Sequence, residues 1–329
     1  MGEHTLCIGV IGTGLMGRLH AANLAFRVDG TELAAVCDID RVAAVACAEH
    51  CEIDSSYDDY RDLLSHPGLD AVAVCTPPGT HGAIIEAASG AGMDIFCEKP
   101  LDADLTMIDR ALEAVRSSGV TLQLGFKRRY DWRFRQAREA VAGGRIGTPL
   151  TLQIISRDPV RAEDEKGTFT PEMFLDTTIH DFDMARFVMG DEVVSVCSFG
   201  SGGSEAEPER GPHTAVTVLQ FAGGAIGTID NSWLSPYGYD QRLEVFGPAG
   251  VVRIENEEPD ASRRETAAPF FVQRYFDAYL TEMTAFAKCV LEGAEPPVTG
   301  ADGRAAVVLA MAGQRSYREG RPVAVREIG

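Results

Sequence analysis

Up to Gly125 the chain alternates short, unbroken apolar runs with longer stretches whose apolar residues return every three to four positions. The runs Leu6–Ile11, Leu33–Cys37, Ala71–Cys75, Ile95–Cys97 and Thr121–Leu124 predict strands. They are rich in Val, Ile, Ala and Cys with little alternation, which suits strands covered on both faces. The stretches Leu15–Arg27, Arg41–Cys51, His81–Ala91 and Asp104–Ser118 predict helices between them. Strands joined by crossover helices describe an α/β domain, a doubly wound parallel sheet.

After Gly125 the texture changes. A helical segment, Phe134–Ala142, closes on Gly143-Gly144, and strands with a period of two follow at Leu150–Ser156, Val193–Phe199, Thr214–Phe221, Ala225–Trp233 and Gln241–Phe246. Turn residues such as Ala222-Gly223-Gly224 join neighbours, so this half predicts an α+β domain with one large, mostly antiparallel sheet. Polar stretches at Gly200–Pro212 and Asn256–Pro269 read as loops, and helices are expected at Tyr275–Leu291 and Asp302–Arg318. The domain division is residues 1–125 and 126–329, with no internal repeat.

A chain of 329 residues can bury two cores without disulfides or metals. It is 45% hydrophobic and 24% charged, and no apolar run approaches the roughly 20 residues of a membrane span. No secretory signal precedes the first strand, so a soluble cytoplasmic protein without membrane contact is expected. The eight cysteines form no CxxC pair and read as buried thiols. A formal charge of −19 argues against nucleic acid, whose phosphates need clustered Lys and Arg. The one basic cluster, Lys127, Arg128, Arg129, Arg133, Arg135 and Arg138, is assigned to an anionic cofactor, to substrate contacts or to subunit salt bridges.

Gly12-Thr13-Gly14-Leu15-Met16-Gly17 follows a strand and opens a helix, the setting in which GxGxxG binds a dinucleotide. Backbone N–H groups and the helix N-terminus can then face a pyrophosphate. Asp38 ends the second strand about 20 residues beyond Gly17, the spacing of an acid that holds a ribose hydroxyl pair. That favours NAD over NADP, although Arg41 lies close enough to take a phosphate. The competing reading of Asp38 is a helix N-cap. Thr76-Pro77 ends a later strand and His81 opens the next helix, on the same carboxyl edge of the sheet. Glu98-Lys99-Pro100 follows another strand there, and the Lys99 ammonium can stabilise charge developing on an oxygen. Asp176 and His180 stand four residues apart at the start of a helix running to about Met189, so both can project from one face. Asp181 and Asp183 are expected on its solvated or capping side. No third ligand is spaced to make a zinc site of this pair, so no metal is expected.

These stretches, in this order, resemble the glucose–fructose oxidoreductase/inositol dehydrogenase (Gfo/Idh/MocA) family over essentially the whole chain. The likeness rests on GTGLMG with His20, Thr76-Pro77-Pro78 with His81, Glu98-Lys99-Pro100, Gly125-Phe126-Lys127-Arg128-Arg129-Tyr130-Asp131, and Asp176 with His180. The resemblance implies an N-terminal Rossmann domain and catalysis by Lys99, Asp176 and His180 together. His180 would act as general base for a hydroxyl proton while hydride passes to NAD, Asp176 would orient the imidazole, and Lys99 would hold the reacting oxygen. It also places Thr76, Pro77, His81, Glu98 and Lys99 beside the glycine turn along the cofactor edge.

Ser156-Arg157-Asp158-Pro159 and Tyr237-Gly238-Tyr239-Asp240-Gln241-Arg242 look most like the inositol 2-dehydrogenase branch. By the same likeness Lys127, Arg128, Asp158 and Tyr239 are candidates for binding a polyol. The chain departs from that branch after Asn231-Ser232, where Trp233-Leu234 stands in place of an expected arginine pair. Trp233 either stacks on a sugar face or belongs to the core. A cyclitol such as myo-inositol leads as substrate. A pyranose or modified cyclitol follows, then an NAD-dependent glycoside hydrolase or a regulator without turnover. Relatives cover the open face of the second sheet with another subunit, so a homo-oligomer, a tetramer, is expected.

Overall fold

Each strand expected before Gly125 is present in the computed structural model, which describes residues 5–159, 172–202, 211–256 and 270–329. Strands β1 (Leu6–Ile11), β2 (Thr31–Cys37), β3 (Ser56–Tyr57), β4 (Ala71–Val74), β5 (Asp94–Glu98) and β6 (Leu122–Gly125) form a wholly parallel sheet in the order β3-β2-β1-β4-β5-β6. The direction of winding reverses between β1 and β4, the position at which such sheets open a ligand crevice beyond the strand ends. β3 is too short for an apolar pattern to reveal it. Helices α1 (Leu15–Phe26), α2 (Arg41–His50), α3 (Tyr60–Leu64), α4 (His81–Gly90) and α5 (Leu105–Ser118) make the crossovers. Asp40 starts α2 by accepting the Val42 and Ala43 N–H groups, and Asp104 starts α5 by accepting that of Thr106.

Internal contacts divide the chain into two compact units. The first takes the described residues of Met1–Lys127 together with Asp277–Arg304, a segment that a single cut after Gly125 leaves with the second half. Its helix, within Phe276–Glu292, seats Met283, Phe286 and Ala287 in the same core as Ile8, Val10 and Phe96. Each large side chain so buried contributes roughly 1.5–3 kcal/mol, so the segment belongs energetically to this unit. The Leu124 N–H then donates to the Val298 carbonyl at 3.1 Å.

The second unit, Arg128–Phe276 and Ala305–Gly329, holds a seven-stranded sheet. After α6 (Trp132–Ala142) come β7 (Thr151–Pro159), α7 (Ile179–Met189), β8 (Val193–Ser201), β9 (Thr214–Phe221), β10 (Ile226–Ser235), β11 (Asp240–Gly247), β12 (Gly250–Ile254) and β13 (Val323–Ala324). Their order is β12-β11-β7-β10-β9-β8-β13, antiparallel throughout except that β10 runs parallel to β7. The Ala222-Gly223-Gly224 turn does close the β9–β10 hairpin. Side chains alternate strictly along β9, with Ala215, Leu219 and Phe221 buried and Val216 and Val218 exposed. The loops expected at Gly200–Pro212 and Asn256–Pro269 fall largely outside the described residues.

Candidate active site

The glycine turn joins β1 to α1, and its three glycines serve different ends. Gly12 has φ of 91°, and a Cβ there would meet the Cys75 carbonyl carbon and oxygen at 2.7 Å. A Cβ on Gly17 would overlap the Gly12 carbonyl oxygen. Gly14 meets nothing within 4 Å, so no packing inside the protein demands a glycine there. It is the N-cap of α1, provides no side-chain cap, and leaves the first turn without an acid. An uncapped helix N-terminus behind a residue without a side chain is a cradle that would fit an anion such as a pyrophosphate.

Asp38 stands beside this turn. Its Oδ2 accepts the Thr13 N–H at 2.7 Å and the Thr13 hydroxyl at 3.0 Å, and its Oδ1 accepts the Asp40 N–H at 2.9 Å. Burial pushes the carboxyl up, but these hydrogen bonds and the Arg18 charge outweigh it and hold Asp38 below the usual carboxylate range. The N-cap of α2 is Asp40, which leaves Asp38 as the acid at the strand end. Arg41 is exposed and lies 3.5 Å from Asp58.

Thr76 and Pro77 lie at the end of β4, half-buried and exposed. His81 is buried instead of facing the crevice, with Nε2 2.7 Å from the Thr76 carbonyl and Nδ1 2.8 Å from the Pro100 carbonyl. It ties the β4 end to the segment after Lys99. Lys99 itself is half-buried where β5 ends. Glu98 is buried too, its Oε2 accepting the Lys99 N–H at 3.2 Å and its Oε1 lying 2.9 Å from His20 Nε2. His81 and Glu98 therefore hold the cofactor edge from behind. Glu282 joins Glu98 and His20 in a convergence that sequence spacing does not reveal.

In the second unit the helix expected from Asp176 onward starts differently. Phe174–Thr178 is a π-helical turn and α7 proper begins at Ile179. Asp176 thus sits, half-buried, on a wide turn of the type that recurs at functional sites, and His180 on the second residue of the α-helix is 5% exposed. β10 braces the turn. Trp233 Nε1 donates to the Thr177 hydroxyl at 2.8 Å, and the Thr178 hydroxyl donates to Asn231 Oδ1 at 2.8 Å. Trp233 is buried, which favours its reading as a core residue. Glu172 accepts the Phe174 and Leu175 N–H groups at 3.2 and 3.0 Å, capping the other end.

Asp181 and Asp183 correct an expectation. Both are 0% exposed, where a solvated side of the helix was expected, because each carboxylate meets an arginine of the basic cluster. Arg128 donates to Asp181 and to the Ser156 hydroxyl, and Arg129 binds Asp183 through Nε at 3.0 Å and Nη2 at 2.6 Å. Asn231 Nδ2 adds a 2.8 Å bond to Asp181. The Arg128 guanidinium, expected to meet a polyol, is held inside the second unit by Asp181 and Ser156. Asp158, at the end of β7, is buried, and Tyr239 is half-buried with its ring edge-on to Tyr275 at 6.3 Å. In the first unit the Lys127 ammonium lies 5.8 Å from the Tyr279 ring centre.

Comparison with known proteins accords with this geometry. Residues 6–126 match the family described as "Oxidoreductase family, NAD-binding Rossmann fold", and residues 134–253 match the "GFO/IDH/MocA C-terminal domain". Myo-inositol 2-dehydrogenase of Thermotoga maritima is 40% identical over 98% of this chain and 99% of its own length. Inositol 2-dehydrogenase of Rhizobium meliloti is 38% identical over 98% and 99%. The crystal structure of a Lactobacillus casei myo-inositol dehydrogenase, in complex with NAD(H) and myo-inositol, superposes with a TM-score of 0.87 at 30% identity, covering 97% of this chain and 96% of that one. The chain belongs to the Gfo/Idh/MocA family of NAD-dependent oxidoreductases.

Proposed function

We propose that this enzyme oxidises a secondary hydroxyl of a cyclitol such as myo-inositol to the ketone. The observation that carries the reading is the full-length likeness to inositol dehydrogenases in a chain that keeps Lys99, Asp176 and His180 together with an acid, Asp38, beside the glycine turn. His180 takes the hydroxyl proton as general base and returns it in the reverse direction. Asp176 orients the imidazole and stabilises its protonated form. Lys99 holds the reacting oxygen and offsets the negative charge that grows on it. Bound NAD supplies the two-electron acceptor for the hydrogen leaving the same carbon. Asp38 favours the unphosphorylated ribose by accepting its hydroxyls and repelling a phosphate. We assign Lys127, Asp158 and Tyr239 to polyol recognition and give Arg128 an indirect part, through Asp181.

A purified-enzyme screen of inositol isomers and aldoses, with NAD and with NADP, tests the reading by the absorbance of the reduced cofactor. Turnover of an inositol with NAD is expected. Turnover confined to aldoses moves the substrate to a pyranose, and a wide preference for NADP removes the assigned role of Asp38.

The second sheet leaves Phe199, Val216, Val218, Ile226 and Phe246 exposed on its strands. An apolar array of that kind marks an association surface, and supports a homo-oligomer, a tetramer by resemblance. Light scattering at the monomer mass of 35.4 kDa would count against it. Among the described residues no helix is long and apolar enough to cross a membrane. All eight cysteines are free, which suits a reducing compartment such as the cytoplasm.

A further inference from the structure

The first unit buries three ionisable side chains that the proposed chemistry does not use. His20 and Glu282 are 0% exposed and Glu98 is nearly so. Each comes from a different element: His20 from α1, one turn beyond Gly17, Glu98 from the end of β5, and Glu282 from the helix Phe276–Glu292. Burying such groups costs free energy, and neither oxygen of Glu282 has a hydrogen-bond partner. An arrangement so unfavourable by itself points to a task.

We propose that His20 is a positioning residue for Lys99, acting through Glu98. One carboxylate oxygen of Glu98 faces His20 Nε2 at 2.9 Å and the other accepts the Lys99 backbone N–H at 3.2 Å, so a single side chain links the helix behind the glycine turn to the peptide that carries the ammonium. Burial pushes Glu98 up, yet the His20 hydrogen bond and charge, with the Lys127 and Lys99 charges behind them, outweigh it and keep the carboxyl low. Burial and the Glu98 charge together push Glu282 well above the carboxylate range, so this neighbour stays protonated and neutral. An ionised Glu98 can only accept, so Nε2 is the donor. His20 Nδ1 has no partner, so this bond is the only hydrogen bond that the buried imidazole makes. Around that bond the imidazole packs edge-on against Phe96 at 5.0 Å and Tyr279 at 6.0 Å.

The 2.9 Å spacing is that of a hydrogen bond, and the Lys127 charge that acts on both carboxyls opposes a cation in the same place. The site is therefore assigned as a brace. Retention of one equivalent of a divalent ion by the purified wild type would overturn that.

The inference rests on the role proposed for Lys99, and its test compares two variants with each other. His20→Phe keeps an aromatic ring against Phe96 and Tyr279 but has no donor. His20→Gln loses the ring but can place an amide N–H near the Nε2 position. With a donor brace, His20→Phe lowers kcat by about 10- to 100-fold, the loss expected of a charge-assisted hydrogen bond, while NAD affinity measured by protein fluorescence stays near wild type. His20→Gln recovers most of that turnover. A packing role reverses the order, and reversed or equal losses overturn the proposal. Should His20→Phe fail to fold, Glu98→Gln decides. Its single amide oxygen cannot accept from both His20 and the Lys99 N–H, so unchanged turnover overturns the proposal and a loss of at least about 10-fold supports it. Failure of the dehydrogenase reading looks different, because the wild type then turns over no cyclitol.

Discussion

The surroundings of Lys99 and those of His180 solve one problem, holding an ionisable group still, by opposite means. Behind Lys99 a lone buried carboxylate, Glu98, spans an imidazole and a backbone N–H, and beside it stands a neutral Glu282 without hydrogen bonds. Around α7, by contrast, the buried charges are matched, Arg128 with Asp181 and Arg129 with Asp183. Matched buried pairs are costly to form and costlier to break singly, so they suit a rigid platform. A single bridging carboxylate beside a neutral acid is cheaper to disturb and suits fine placement. The comparison teaches that substitutions near the base should separate into chemistry and stability, whereas those near Lys99 should act mainly on turnover.

The largest effect should come from the base. His180→Ala is expected to lower kcat by about 10²- to 10⁴-fold with NAD affinity unchanged, and to remove the limb of the pH profile that rises as the site loses its proton. Most of the activity surviving with the same profile would put the base elsewhere. On the platform, Arg128→Met leaves the Asp181 carboxylate buried against the Asn231 amide and should cost about 3–5 kcal/mol of stability in a denaturant melt. If stability holds and only KM for the polyol rises, Arg128 reaches the substrate after all and the platform reading fails.

On the cofactor edge two glycines sharpen the contrast between fold and ligand. Gly17→Ala drives a methyl into the Gly12 carbonyl and should cost about 1–3 kcal/mol of stability. Gly14→Ala meets nothing in the protein and should leave the melting temperature alone while weakening NAD binding. A stability loss at Gly14 equal to that at Gly17 would mean the turn is merely structural.

What a sequence shows of such a molecule depends on how far apart the interacting residues lie. Gly12, Gly14 and Gly17 act on their own turn, and Asp38 ends the next strand, so spacing alone exposes them. The π-helical turn is imposed from β10, by Trp233 on Thr177 and Asn231 on Thr178, and a helical pattern from Asp176 onward carries no trace of it. Asp181 and Asp183 look solvated because their arginines precede them by 53 and 54 positions. The adjacent pair Arg128-Arg129 and the two acids spaced by two were the available signal. The return of 277–304 to the first unit is equally hidden, since an amphipathic helix says that it packs but not against what. His20, 78 residues from Glu98, had only its place after the glycine turn to mark it.

The smallest expected effect tests whether the platform around His180 is also the part of the molecule that responds to ordinary pH. Burial pushes Glu172 up to about 7, the Asp176 charge adding to it, while the Leu175 and Phe174 N–H groups and Arg318 pull the other way. The folded value lies above the usual 4.5, so the folded state holds the extra proton. Stability from this group is complete below about 4.5 and is lost as the pH rises through about 7. One proton limits the slope to about 1.4 kcal/mol per pH unit. Glu172→Gln keeps an oxygen for the Phe174 and Leu175 N–H groups but has no proton to lose. Melting curves taken from about pH 5 to about pH 8 should therefore show the wild type falling relative to the variant from the low end of that range up to about pH 7, and running parallel to it above. Parallel curves for wild type and Glu172→Gln would show instead that the turn carrying Asp176 is insensitive to pH, and that its cap works as a hydrogen-bond acceptor alone.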